Sequence, residues 1–134
     1  MPSRKQELVS AWLAKADHDL EAARVLITGS KRLLDVGVYH CQQAAEKSLK
    51  GWLTSREIIF PKTHSLEVLL LLCIPSTAAF AQFQGSAEEL TPLAHEFRYP
   101  GDISEPGFDQ ATRALGLAEE IYNFCQQQIE TERR

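Results

Sequence analysis

The 134-residue sequence predicts an all-α fold, an up-down four-helix bundle with one additional short helix, and three observations predict it. Apolar residues recur at steps of three and four over long stretches, which stacks them along one side of a helix. No segment sustains the two-residue alternation of a half-buried strand, and β-branched residues are sparse. Gly29-Ser30, Pro61, Pro75 and Pro100-Gly101 punctuate the periodic stretches where connections are needed.

The first helix is expected from Gln6 to Thr28, with Val9, Trp12, Ala16, Leu20, Ala23 and Ile27 on its inward stripe. Asp17, Asp19, Glu21 and Arg24 fall elsewhere around that cylinder, and Gly29-Ser30 ends it. A second helix is expected from Leu33 to Arg56, carried by Leu34, Val38, Cys41, Ala45, Leu49 and Trp52. Gly37 and Gly51 lie inside it, each costing about 1 kcal/mol against alanine, so a neighbour comes close there or the ends are loose. Past the Pro61 loop, Thr63 or Ser65 caps a short helix through Leu72, which Pro75 stops.

A fourth helical stretch starts near Ala78 or at Ser86, where Ser86-Ala87-Glu88-Glu89 has the form of a capping box. Leu90, Leu93, Ala94 and Phe97 then point inward, and Pro92 implies a kink or a restart capped by Thr91. Arg98 to Asp102 ends this stretch, and a loop through Glu105-Pro106-Gly107 leads to the last helix, Phe108 to Ile129. Ala111, Leu115, Ala118, Tyr122, Cys125 and Ile129 form its apolar stripe.

Length and composition bound the function. A 134-residue chain with 44% hydrophobic residues reads as one domain, 1–134, with a packed core. The apolar run around Leu69 to Ile74 falls well short of the roughly 20 residues that span a bilayer. The N-terminus lacks the apolar core of a signal peptide, so a cytoplasmic protein with no membrane partner is expected. Cys41, Cys73 and Cys125 are odd in number and far apart, which suggests reduced, packed thiols rather than disulfides or a zinc site. A net charge of −4 argues against a broad nonspecific nucleic-acid surface but leaves room for a local basic patch.

One stretch holds most of the chemistry: His40-Cys41-Gln42-Gln43-Ala44-Ala45-Glu46-Lys47-Ser48-Leu49-Lys50. On a helix Tyr39, Gln43, Glu46 and Lys50 share a stripe, with His40 and Lys47 alongside and the apolar stripe opposite. Periodicity alone favours a solvated face, with a Glu46–Lys50 pair adding about 0.2–0.5 kcal/mol and a half-buried His40 making one hydrogen bond. A buried hydrogen-bonded network at a helix or subunit contact remains open on the same residues.

His40 to Leu53, then Pro61-Lys62-Thr63-His64-Ser65-Leu66, then Arg98-Tyr99-Pro100, in this order and spacing, resemble the HEPN family (higher eukaryotes and prokaryotes nucleotide-binding). The likeness spans nearly the whole chain, including Trp12, Ala16, Asp19-Leu20 and Ala23. It implies a bundle of four or five helices, commonly a homodimer, often encoded beside a minimal nucleotidyltransferase as in toxin–antitoxin pairs. Many members of the family are metal-independent ribonucleases whose signature is an Arg, four to six residues, then a His. Here Ile103, Ser104 and Glu105 stand where Arg98 would need that His, and Arg24, Arg32, Arg56 and Arg113 lack one as well. The resemblance therefore does not carry ribonuclease activity to this chain.

A substitute constellation is expected if the second and fourth helices are neighbours. Lys47, Lys50, His64, Arg98 and Tyr99 would contact a nucleotide or RNA phosphate, Arg98 as the bidentate donor, supported by His40, Gln43, Glu46 and His95. The plainer roles are an Arg98 pair with Glu46 or Asp102 that pins the loop, a loop hydrogen bond for His64, and solvated lysines. No phosphate-binding glycine loop follows a strand. Asp17, His18 and Asp19 diverge around their helix, so neither metal nor cofactor is expected.

The functional expectation is thus a non-catalytic binding and dimerisation module working with a nucleotidyltransferase partner. The alternatives are an RNA-cleaving or nucleotide-hydrolysing enzyme using His64 or His95, and a purely structural dimerisation element.

Overall fold

The computed structural model describes residues 1–101 and 104–133. Five α-helices run in the order α1 Arg4–Thr28, α2 Leu34–Ser55, α3 Leu66–Cys73, α4 Gln84–Leu90 and α5 Phe108–Arg133. Two 3₁₀ segments, Ala78–Phe83 and Thr91–Ala94, flank α4. The all-α class agrees with the periodicity. Among the described residues no helix is long and apolar enough to cross a membrane.

Helix α1 starts earlier than its apolar stripe suggests because Ser3 caps it. The Ser3 hydroxyl accepts from the Gln6 N–H, and the Gln6 side chain accepts from the Ser3 N–H. Gly29 closes the helix, its N–H donating to Val25 O at 3.0 Å.

Helices α1 and α2 pack antiparallel, and two glycines set their separation. A Cβ on Gly37 would lie 2.5 Å from Ile27 Cγ1, and one on Gly51 would lie 3.1 Å from Trp12 Cβ. Close approach therefore decides both positions. Helix α5 runs alongside α2 in the same direction: Arg32 stacks on Phe108 at one end, and Arg56 pairs with Glu132 at the other.

The third position of the bundle differs from the expected long helix. It is assembled from α3, α4 and the two 3₁₀ segments. The tighter 3₁₀ turn sends Phe80 and Phe83 inward together, three residues apart. Phe80 meets Trp52 at 4.6 Å and Phe124 at 4.9 Å between ring centroids. Ser86 lies inside α4, which begins at Gln84, and so it cannot act as the predicted cap. Pro92 opens the second 3₁₀ segment, while the Thr91 hydroxyl accepts from Leu66 N–H and bonds Glu67 instead of capping. Leu90 and Leu93 are buried as expected, but Ala94 and Phe97 only half so. Of the two candidate caps for α3, Ser65 fills the role by accepting from Val68 N–H.

Helix α2 is the centre of the fold. It packs against α1, α5, α3 and the Thr91–Ala94 segment. Fourteen of its residues are buried, including Gln42, Gln43, Glu46, Ser48 and Lys50. At its end Glu57 adopts φ 56°, and Ile58 N–H returns to Leu53 O, turning the chain sharply into the Pro61 loop.

All three cysteines are buried thiols. Burial pushes Cys41 and Cys73 up to about 12 and raises Cys125 well above the ordinary thiol range. Unfolded thiols ionise from 9.0, whereas Cys41 and Cys73 keep their protons to about 12, so unfolding releases protons within that window. Their contribution to stability is complete below the lower value and is lost as pH rises towards the upper one. Denaturation midpoints should fall across this alkaline range, and a Cys41→Ala/Cys73→Ala variant should lose that part of the slope. An identical slope in the variant refutes the assignment.

Candidate functional site

The polar stripe of α2 divides into two clusters, each centred on a buried carboxylate. In the first, Glu46 is a shared acceptor. Lys50 Nζ donates to its Oε2 at 3.0 Å, and His64 Nδ1 lies 2.8 Å from its Oε1. Gln42 Nε2 donates to the His64 carbonyl at 2.8 Å and approaches Glu46 Oε1 at 3.3 Å. Gln43 Nε2 in turn donates to Gln42 Oε1 at 2.8 Å. The Lys50 Nζ lies over the Trp12 and Phe60 rings, 5.8 and 5.9 Å from their centroids.

The second cluster joins α1 to α2 through Asp19. His40 Nδ1 lies 2.8 Å from Asp19 Oδ1, and Lys47 Nζ donates to Oδ2 at 2.7 Å. His40 is half-buried and makes the single side-chain contact expected of it. The lysines are corrected: Lys50 is buried on Glu46 and Lys47 is held by Asp19, so neither is a solvated cation. Burial of these pairs realises the network reading of the stripe at a helix contact.

Beside these clusters lies a cleft of about 450 Å³ between α2, the His64 loop and the turn following Thr91–Ala94. Gln43, His64, His95, Arg98 and Tyr99 line it together with Tyr39, Ser65, Thr91 and Ala94. Its predicted members thus come from three separate stretches of chain. Lys47 and Lys50 are not among the lining residues, and Glu46 reaches the cleft through His64 and Gln43.

Glu46 is not the partner of Arg98. The Arg98 guanidinium lies over the Tyr39 ring, 3.9 Å from the centroid, while Glu46 is taken by Lys50 and His64. The other proposed partner, Asp102, lies outside the described residues. The loop is therefore pinned to α2 by stacking, which leaves guanidinium edges to meet an anion. His95 and Arg98 sit in turns beyond the 3₁₀ segment, not on a fourth helix. His95 Nδ1 lies 3.1 Å from Pro92 O. A second cleft of about 340 Å³, lined by Asp35, Val36, Tyr39, His40 and Arg98, meets the first at the Arg98–Tyr39 stack.

Asp19, Gln42 and the Tyr39 partner of Arg98 were not among the sequence candidates. Asp19 had a signal: it follows Ala16 by three and precedes Ala23 by four, on the edge of the inward stripe. Gln42 and Tyr39 become legible only once the His64 loop and the Arg98 turn are placed.

The HEPN domain profile matches residues 9–128 of the chain. The crystal structure of an archaeal HEPN homologue superposes with a TM-score of 0.70 at 29% identity, covering 90% of this chain and 97% of the other. No protein of curated function matches the sequence.

A Glu46→Ala substitution strands the Lys50 ammonium in a buried aromatic setting and should cost about 3 kcal/mol by denaturant unfolding. A Glu46→Leu/Lys50→Met pair, which removes both charges, should recover most of that loss. Equal instability of single and double variants would mean that the ion pair is not what the cluster depends on.

Proposed function

The chain belongs to the HEPN domain family, and on that premise we propose that it is a non-catalytic module that binds a nucleotide or RNA phosphate. One observation carries the reading: His64 shares a single cleft with His95, Arg98 and Tyr99, which lie some thirty residues further along the chain. Its volume suits one nucleotide. Exposed Tyr99 offers a face for a base, and Arg98, stacked on Tyr39, offers a planar fork for a phosphate. The missing Arg–His spacing supports binding without the family's ribonuclease chemistry. Lys47 and Lys50 support the site from behind: each neutralises a carboxylate that holds a histidine, rather than meeting the ligand.

Titration calorimetry with nucleotides should give heat with the native protein, and Arg98→Ala should weaken binding at least about tenfold through loss of a charge-assisted contact. Equal heats in both proteins, or none in either, remove the ligand from the proposal.

Family membership also supports a homodimer that acts with a separately encoded minimal nucleotidyltransferase in a toxin–antitoxin-like pair, since HEPN domains commonly dimerise. Sedimentation should give twice the chain mass at micromolar concentration. A small protein with a G-S-x-x-x-G pattern, encoded in the adjacent reading frame, should co-purify with it. A monomer ends the first part of this pairing, and failure to co-purify ends the second.

A further inference from the structure

The hydrogen-bond polarity of the cleft can be worked out atom by atom. The His64 carbonyl only accepts, so the Gln42 amide nitrogen must face it, and Gln42 Oε1 therefore faces Gln43. That in turn fixes Gln43 with its nitrogen turned inward, leaving its Oε1 for the cleft. Glu46 Oε1 lies within reach of the same amide nitrogens, and Lys50 holds its other oxygen. Paired with the Lys50 ammonium, Glu46 is a carboxylate and can only accept. The 2.8 Å contact to His64 Nδ1 is therefore Nδ1–H donating to carboxylate.

The consequence falls on the other edge of the ring. With Nδ1 carrying the proton, neutral His64 presents the lone pair of Nε2 outward, away from buried Glu46, on a side chain that is 74% exposed. His95 repeats the arrangement. Its Nδ1 meets the Pro92 carbonyl, which only accepts, and so its Nε2 is likewise an acceptor in the neutral ring. The cleft thus offers acceptors from His64, His95 and Gln43, and donors from Arg98.

Inorganic phosphate meets Arg98 but brings only its own P–OH to a cleft with three separate acceptors. A sugar phosphate supplies both requirements: an anion for the guanidinium and hydroxyl donors for the imidazoles. We propose that His64 is the specificity-determining residue of the cleft, its Nε2 accepting a ribose hydroxyl, so that the ligand is a ribonucleotide in preference to its deoxy form. Glu46 acts through His64 as a positioning residue, with Lys50 and Gln42 holding the carboxylate and the loop. This rests on the phosphate-ligand reading above and names the sugar that reading leaves open.

The test is calorimetry on the full chain with the common ribonucleoside 5′-monophosphates, set against their 2′-deoxy and 3′-deoxy analogues. In the native protein, removing the accepted hydroxyl should weaken binding about tenfold, the scale of one neutral hydrogen bond. In His64→Ala the hydroxyl and deoxy forms should bind alike. Nitrogen-15 NMR of the imidazoles should show His64 protonated at Nδ1 and bare at Nε2, a signature that a merely structural histidine need not give. Equal native binding of ribo and deoxy forms overturns the inference alone, as does a preference that survives in His64→Ala or a proton found on Nε2. If no ribonucleotide or analogue binds at all, the phosphate-ligand reading falls and the inference falls with it.

Discussion

The buried carboxylate of Glu46 is the constraint around which the structure is arranged. A charge on the central helix, 4% exposed, is tolerable only with partners on each oxygen. Lys50 supplies one from a turn further along α2, and His64 supplies the other from a loop eighteen residues away. The Lys50 ammonium in turn needs the faces of Trp12 and Phe60, which ties α1 and the Pro61 loop to the same point. Electrostatic satisfaction and backbone topology are here one requirement. Without the loop closed over α2, the carboxylate would lose the shortest contact on its Oε1.

Most of the fold was legible in the sequence. Helices α1, α2 and α5 announce themselves through long three-and-four spacing, which survives local exceptions because each helix buries one continuous stripe. The third bundle position was less legible for a specific reason. Phe80 and Phe83 stand three apart, a spacing shared by α and 3₁₀ turns, so it cannot say which one forms. Ser86 and Glu89 match a capping box, but a cap needs non-helical backbone at the serine, and α4 already runs from Gln84. The start of α1 was missed for the opposite reason: its capping residues, Ser3 and Gln6, precede the apolar stripe that marks the helix.

The cleft was partly legible. His64, His95, Arg98 and Tyr99 were singled out, and the structure brings them together with Gln43. The lysines were misplaced because periodicity gives a direction around a helix, not what lies there. The stripe opposite the apolar face would be wet on a surface helix, but α2 has neighbours on several sides. Asp19 shows the same limit from the other partner. An acidic residue on an inward stripe reads as an exception until a histidine and a lysine are found across from it. The Arg98–Tyr39 stack was invisible for a related reason, since a cation beside acidic residues suggests an ion pair before it suggests an aromatic face.

The clamping of the His64 loop has a thermodynamic consequence for capture of any small molecule. The loop leaves α2 through a fixed turn at Glu57 and Ile58, and Gln42 holds it again at the His64 carbonyl. Its backbone freedom is surrendered during folding. A molecule entering the cleft finds that wall already set and forfeits little ordering entropy there, so modest contacts suffice for useful affinity. Preorganisation of this wall makes selectivity depend on which atoms face inward rather than on how far the wall can yield.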